Sequence, residues 1–345
     1  MKTALHYIFL ILTLLLVLYL GFSGNDLADI VTALHTIQPI YLLVCFLCWL
    51  LYLLIDALLV HCFLRHQGFA IRFWQSLHSA ITGIYYSNIT PGATGGQPMQ
   101  MYCLSRYEIP VGVSGSAVAV KFLLFQCALL ITGTVLWLTN LQFMGEQIGQ
   151  LTLFIAVGYF ANFFSIGLVL LLIFCPNLVK RGIRLLVQWG VKLRLCKKPE
   201  ETREKWEKHC DSFLKSVQLL WKKPLDIVWL SLLSVAQIIC LMFVAVALAF
   251  ALSATQASVA QLLGLSILLY ISAGYTPLPG ASGAQEVGFS TFFQYIFIGA
   301  QQFVALVLWR FFTYYASVLL GAIVIIVENI VDIRRKKRKN CIPTE

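Results

Sequence analysis

The stretch Pro91-Gly-Ala-Thr-Gly-Gly-Gln97 returns 188 residues later as Pro279-Gly-Ala-Ser-Gly-Ala-Gln285. Pro, Gly and Gln are poor residues for an ordinary membrane helix, yet both copies stand between apolar segments too short to cross a bilayer alone. A lone cation follows each copy in an apolar helix: Lys121 comes 24 residues after Gln97, and Arg310 comes 25 after Gln285. A duplicated, helix-breaking motif inside an apolar chain points to a two-fold pseudo-symmetric transport site.

The chain is 59% hydrophobic and 12% charged, which excludes a soluble domain. With about 20 apolar residues needed per span, the sequence offers Leu5–Gly21, Ile40–Leu64, Gly115–Thr139, Leu151–Cys175, Leu225–Leu252 and Phe303–Val331. No small-x-small cleavage site follows Leu20, so the first of these reads as an uncleaved span. Three shorter apolar pieces remain, Trp74–Asn88, Val259–Tyr275 and Val287–Ile298. Cys45 and Cys48 form a CxxC by spacing, but mid-span and with no second ligand pair, so they read as packing.

Charge sets the topology. Of the 25 Lys and Arg, 13 lie between Lys180 and Lys223 and six form Arg334–Lys339. Such runs read as cytoplasmic segments held near anionic lipid headgroups, and no nucleic-acid partner is expected. The connectors Asn25–Gln38 and Asn140–Gln150 carry acidic residues and no Lys or Arg, as outside loops should. Both termini then lie in the cytoplasm. Residues 74–112 enter and leave from the inside, and residues 255–301 from the outside. Each becomes a re-entrant hairpin of two half-helices with a motif at its tip, one pointing up and one down. The expected fold is an all-α polytopic membrane protein of two inverted repeats, about 40–175 and 225–331. A basic linker, 176–224, joins them; within it Trp206, Phe213, Val217, Leu220 and Trp221 suggest an amphipathic helix on the inner surface. Residues 332–345 form a basic tail. A Cys placed at Glu146 is therefore expected to react from outside with an impermeant thiol reagent, in a Cys-free background, and one at Lys198 is not. The opposite pattern reverses the orientation.

Irregular backbone at membrane depth survives only where protein or a water-filled cavity satisfies it. Pro91, Gly92, Pro279 and Gly280 break the chain, and Gly95, Gly96 and Gly283 permit close backbone approach. The half-helices after each tip aim free N–H groups and a partial positive charge at the bilayer centre, a natural seat for a phosphate. Thr90, Thr94, Ser282, Gln97 and Gln285 add neutral hydrogen-bonding groups. Lys121 and Arg310 lie about 9–12 Å inside their spans and are candidate anion contacts. Glu286, the sole acidic residue from Ile227 to Val327, starts the second half-helix where the first copy has Pro98. It fits a cap or a partner for a cation. Asp56 is the other buried ionisable candidate, as a partner of Lys121 or His61 or as a ligand contact. No Ser/His/Asp set, nucleotide loop or metal-ligand cluster is visible, so no catalytic residue, cofactor or metal is expected.

Asn88-Ile-Thr-Pro-Gly-Ala-Thr-Gly-Gly-Gln-Pro98 and Thr276-Pro-Leu-Pro-Gly-Ala-Ser-Gly-Ala-Gln-Glu286 resemble the motifs of the lysylphosphatidylglycerol synthase transmembrane region, the flippase-like part of multiple peptide resistance factor proteins. The resemblance covers about residues 5–335. That family's second motif often reads Pro-Gly-Gly-x-Gly-x-x-Glu; Pro279, Gly280, Gly283 and Glu286 match, and Ala281 departs from it. Full-length relatives carry a soluble domain that transfers lysine to phosphatidylglycerol. With 14 residues after Val331, no such domain is expected here. The resemblance implies a bacterial inner membrane and a link to resistance against cationic peptides. The leading expectation is a phospholipid translocase acting on lysylphosphatidylglycerol or a related aminoacylated or glycosylated lipid. A phosphatidylglycerol lysyltransferase, or another lipid-modifying transferase, needs a catalytic domain or acid/base set that the sequence lacks. An ion-coupled small-solute transporter would use Asp56 and Glu286 as ion sites. The sequence leaves homo-oligomerisation open.

Overall fold

The computed structural model describes residues 26–192, 199–254 and 256–340. The expected first span, Leu5–Gly21, lies outside them, as do the linker residues 193–198. Among the described residues every regular element is helical. In chain order these are α1 (Leu27–His35), α2 (Pro39–His66), α3 (Phe73–Ile89), α4 (Gly96–Ser105), α5 (Val111–Thr139), α6 (Leu141–Ile148) and α7 (Thr152–Phe174). There follow α8 (Pro176–Lys192), α9 (Pro199–Trp221), α10 (Pro224–Ala251), α11 (Val259–Ala273), α12 (Ala284–Phe292), α13 (Ala300–Arg310) and α14 (Ala316–Asn340). Among the described residues, five segments are long and apolar enough to cross a membrane: Pro39–His66, Val111–Thr139, Leu141–Phe174, Pro224–Ala251 and Ala300–Val331. The chain is an all-α polytopic membrane protein.

The same element order occurs on both sides of the linker. A long helix, a shorter one, a one-turn 3₁₀ segment at the motif, a short helix and a long apolar segment follow one another as α2–α5 and again as α10–α14. At 1.5 Å per residue, α4 and α12 reach only about 15 Å and 13 Å, half of a bilayer core. Pro at the first position of α2 and α10 starts both helices where an N–H would have no partner. Between lipid-exposed helices, apolar burial gives little drive to associate, and close packing of small residues takes its place. The tail of α10, Ala245, Ala247, Ala249 and Ala251, is buried for that reason. α10 packs along α2 and also touches α5 and α11. By contrast α7 turns Leu153, Phe160, Phe163 and Phe164 outward, as a lipid-facing helix does.

Two connectors differ from expectation. Residues 176–192 form a strongly amphipathic helix, α8, that the linker's charge density obscured. α9 is the expected amphipathic helix, but it packs on the protein: Val217 and Leu220 are buried while Trp206 and Trp221 stay exposed. At Gly112 an added Cβ would stand 2.3 Å from the His209 carbonyl oxygen, so α5 and α9 meet backbone to backbone. The final apolar segment is also not one straight helix. It widens into a single π-helical turn, Phe311–Tyr315, immediately after Arg310.

Candidate functional site

The two motifs fold alike at their first residues. Pro91–Ala93 and Pro279–Ala281 each form a 3₁₀ turn, with Gly92 at φ 59° and Gly280 at φ 59°. Ala93 (φ 56°) and Ala281 (φ 50°) share the left-handed conformation, a strain of order 1–3 kcal/mol each for a residue with a Cβ. The hydroxyls of Thr94 and Ser282 donate to the carbonyls of Pro91 and Pro279, each at 3.0 Å, closing the turns. The two turns lie against one another, and α3 also touches the second turn.

Beyond the turns the copies diverge. In the first, Thr90 Oγ1 accepts from Gly95 N–H at 2.8 Å and itself donates to Tyr86 O at 2.6 Å, which links α3 to the start of α4. An added Cβ at Gly96 would fall 1.8 Å from Ser87 Oγ, so only glycine lets α4 close on α3. Pro91, Thr94 and Gln97 remain exposed. The N–H groups of Gly96 and Gln97 find no acceptor among the described residues, and no carboxylate stands at this helix start. In the second copy, Ser282, Gln285 and Glu286 are buried. Glu286 is the third residue of α12, and its Oε2 accepts the Gly283 N–H at 2.6 Å, a helix cap. Its Oε1 accepts from Arg310 Nε at 2.8 Å and Nη2 at 2.7 Å. Glu286 is thus both cap and ion-pair partner.

Arg310 is nearly sealed, at 3% exposure, with Glu286 at 1%. Its Nη1 and Nη2 also donate to the Gly280 carbonyl, each at 3.3 Å, so the guanidinium ties α13 to the second turn. Trp309 and Tyr314 flank it at 5.5 and 5.4 Å from their ring centres, within cation–π range. Tyr314 belongs to the π-helical turn, and its hydroxyl donates to Asn88 O, 3.4 Å away at the end of α3. One aromatic ring therefore joins the second ion pair to the first motif.

The other cation is held in the same manner. Lys121 Nζ donates to Asp56 Oδ2 and to Gln100 Oε1, both at 2.8 Å, and Gln237 Nε2 donates to Asp56 Oδ1 at 2.9 Å. This network joins α2, α4, α5 and α10. It leaves two buried atoms without partners, Gln100 Nε2 and Gln237 Oε1. In the second motif, Gln285 Oε1 is likewise unpartnered.

Of the candidate residues, the structure brings the motif turns, Glu286 and Arg310 into one cluster, and Asp56 and Lys121 into a neighbouring one. His61 is not bonded to Asp56, and its Nδ1 has no partner. Gln100, Gln237 and Tyr314 were not singled out from sequence. Gln237 carried a usable signal, a lone amide in the middle of an apolar span. The sequence of the lysylphosphatidylglycerol synthase TM region family matches residues 7–321. The chain belongs to that family. Comparison with curated proteins and with solved structures finds no significant match. As a member of this family the protein is a multi-pass membrane protein, and its two motif turns lie against one another.

Proposed function

We propose that the protein is a phospholipid translocase whose headgroup site lies where the two motif turns meet, with the lipid phosphate at the start of α4. One observation carries this reading. The α12 start is already neutralised by Glu286 and Arg310, whereas at the α4 start Gln97 and Pro98 are exposed, the N–H groups of Gly96 and Gln97 have no acceptor among the described residues, and Pro98 stands where the second copy has its Glu. A helix N-terminus without a carboxylate attracts an anion. The phosphate of a membrane lipid is the anion that a bilayer supplies, and family membership favours lysylphosphatidylglycerol or a related lipid. Irregular backbone around the turns would line the headgroup's path while acyl chains stay in the bilayer. Rocking of the α2–α5 half against the α10–α14 half would open the site to each leaflet in turn, as expected of inverted repeats.

In this reading the linker lies in the cytoplasm of a bacterial cell. The exposed Leu185 and Trp189 of α8, with Arg181 and Arg184, meet its anionic headgroups. Lipid retention tests the phosphate claim. Delipidated protein offered equal phosphatidylglycerol and diacylglycerol, then examined by native mass spectrometry, is expected to keep the first and not the second. Equal retention of both would remove the phosphate from the site.

A further inference from the structure

Resting on the translocase reading above, we propose that Arg106, His78 and Glu328 form a gate at the cytoplasmic end of the path, shut in this structure. The seam it closes runs between α3 of the first half and the end of the second half. Tyr314, Gly321 and Glu328 follow at intervals of seven residues, a spacing that keeps Gly321 and Glu328 on one face of α14. Each of the three meets α3. Tyr314 bonds Asn88 O beside the first motif. A Cβ on Gly321 would stand 2.4 Å from Tyr85 Cβ, so the two helices touch there. Glu328 reaches His78 near the start of α3, the end that the proposed orientation puts in the cytoplasm.

The closure at Glu328 takes in both arms of the first hairpin. Its Oε1 accepts from Arg106 Nη1, and its Oε2 stands 3.4 Å from His78 Nε2. Arg106 is placed by the end of α4, where Tyr107 N–H and Ile109 N–H turn back to Leu104 O. With Nε2–H donating to Glu328, His78 Nδ1 is an acceptor for the Tyr107 hydroxyl at 2.8 Å and the Cys103 thiol at 3.2 Å. Cys103 lies beneath this cluster at 4% exposure. The pair above it is hydrated: the side chains of Arg106 and Glu328 are 37% and 24% exposed. Such a pair can part without stranding a charge in apolar surroundings. Arg310 and Glu286, with side chains 4% and 2% exposed, cannot.

The opposite end of the molecule is built differently. There the second hairpin faces α6 across a cavity of about 320 Å³, lined in part by Glu146, Gln150, Thr291, Gln294 and Tyr295. Glu146 is the one charged residue of that lining, and it bonds Gln142 of its own helix. Among the described residues, no ion pair spans this cleft. Inverted repeats shut one entrance while the other opens. A tied seam at one end and a cavity at the other fit the state closed toward the cytoplasm.

Cys103 reports on the gate. Purified protein is treated with a hydrophilic maleimide, and modification at each cysteine is followed by peptide mass spectrometry. Wild-type protein is expected to label slowly at Cys103. Glu328→Gln should speed this about fivefold, the effect of losing an ion pair that is not sealed. Cys45, at 0% exposure between α2 and α10, should stay as in wild type. Arg106→Gln should act alike, and the double variant should do no more than either single, because all three lose the same bond. An unchanged Cys103 rate in Glu328→Gln, a rise shared by Cys45, or additive effects would overturn the gate. Locking supplies the second readout. Arg106→Cys with Glu328→Cys, joined by a short bifunctional thiol reagent that a reductant cleaves, is expected to stop moving labelled phospholipid between leaflets and to resume on reduction, with wild type treated alike as reference. Undiminished movement in the joined protein overturns the gate and leaves the translocase reading standing. No movement by untreated wild type overturns the translocase reading, and the gate with it.

Discussion

Glu286→Gln is expected to destabilise the protein by about 3–5 kcal/mol, the cost of leaving one buried charge without its partner. Arg310 would then keep its charge at 3% exposure with no carboxylate to face, only neutral groups such as the Gly280 carbonyl and the Trp309 and Tyr314 rings, beside the positive end of α12. Arg310→Gln should cost less. Glu286 would retain the Gly283 N–H and the favourable helix terminus, both of which stabilise a carboxylate. The double variant should be more stable than the sum of the two singles implies, because it removes both charges together. Thermal unfolding of the four proteins in detergent gives this ordering. If each single variant unfolds within about 0.5 kcal/mol of wild type, as surface ion pairs do, the pair is solvated and the account of the second motif fails.

The second large effect separates two glycines with the same backbone. Gly92 and Gly280 both have φ +59°, so either Ala substitution carries about 1–2 kcal/mol of left-handed strain. Their surroundings differ. At Gly92 the nearest neighbour of an added Cβ is Thr94 Cγ2 at 3.9 Å, an ordinary contact. At Gly280 it would fall 2.1 Å from Tyr314 Cε2. The Tyr314 ring cannot step aside cheaply, since it is 3% exposed, lies beneath Arg310 and bonds Asn88. Gly280→Ala is therefore expected to lose most folded protein, whereas Gly92→Ala stays folded with a modest drop in melting temperature. Adding Tyr314→Ala to Gly280→Ala should restore part of the yield even though that truncation alone opens a cavity. Equal behaviour of the two glycine variants would mean that the second turn is not pinned by the ring.

Much of this architecture was legible before the structure. Apolar run lengths marked the long helices, and pieces too short to span marked α3, α11 and part of α12. The repeated Pro-Gly-Ala marked two turns that fold to matching dihedrals. The pairing of Glu286 with Arg310 was not legible, and that of Asp56 with Lys121 was one of several readings of Asp56. Glu286 and Arg310 are 24 residues apart and Asp56 and Lys121 are 65 apart, and neither separation places the groups on one helix face. Only tertiary packing decides whether a buried cation faces a ligand or a carboxylate. Nor did Phe311-Phe-Thr-Tyr-Tyr315 announce a π-helical turn, because its composition suits an ordinary span equally well. The charge-rich linker hid α8, whose apolar stripe appears only when residues 176–192 are read at helical spacing.

The central claim is that the bare start of α4 receives the lipid phosphate, and Pro98→Glu tests it most directly. This substitution places a carboxylate at the third position of α4, matching Glu286 in α12, on an exposed turn where it should cap the helix and preserve folding. Reconstituted vesicles holding a headgroup-labelled phospholipid, scored by reagent access to each leaflet, give the translocation rate. Wild-type protein is expected to exchange the lipid well above protein-free vesicles, and folded Pro98→Glu to lose about ten- to a hundredfold, the equivalent of one charge-assisted bond. A wild-type rate in that variant would contradict the account.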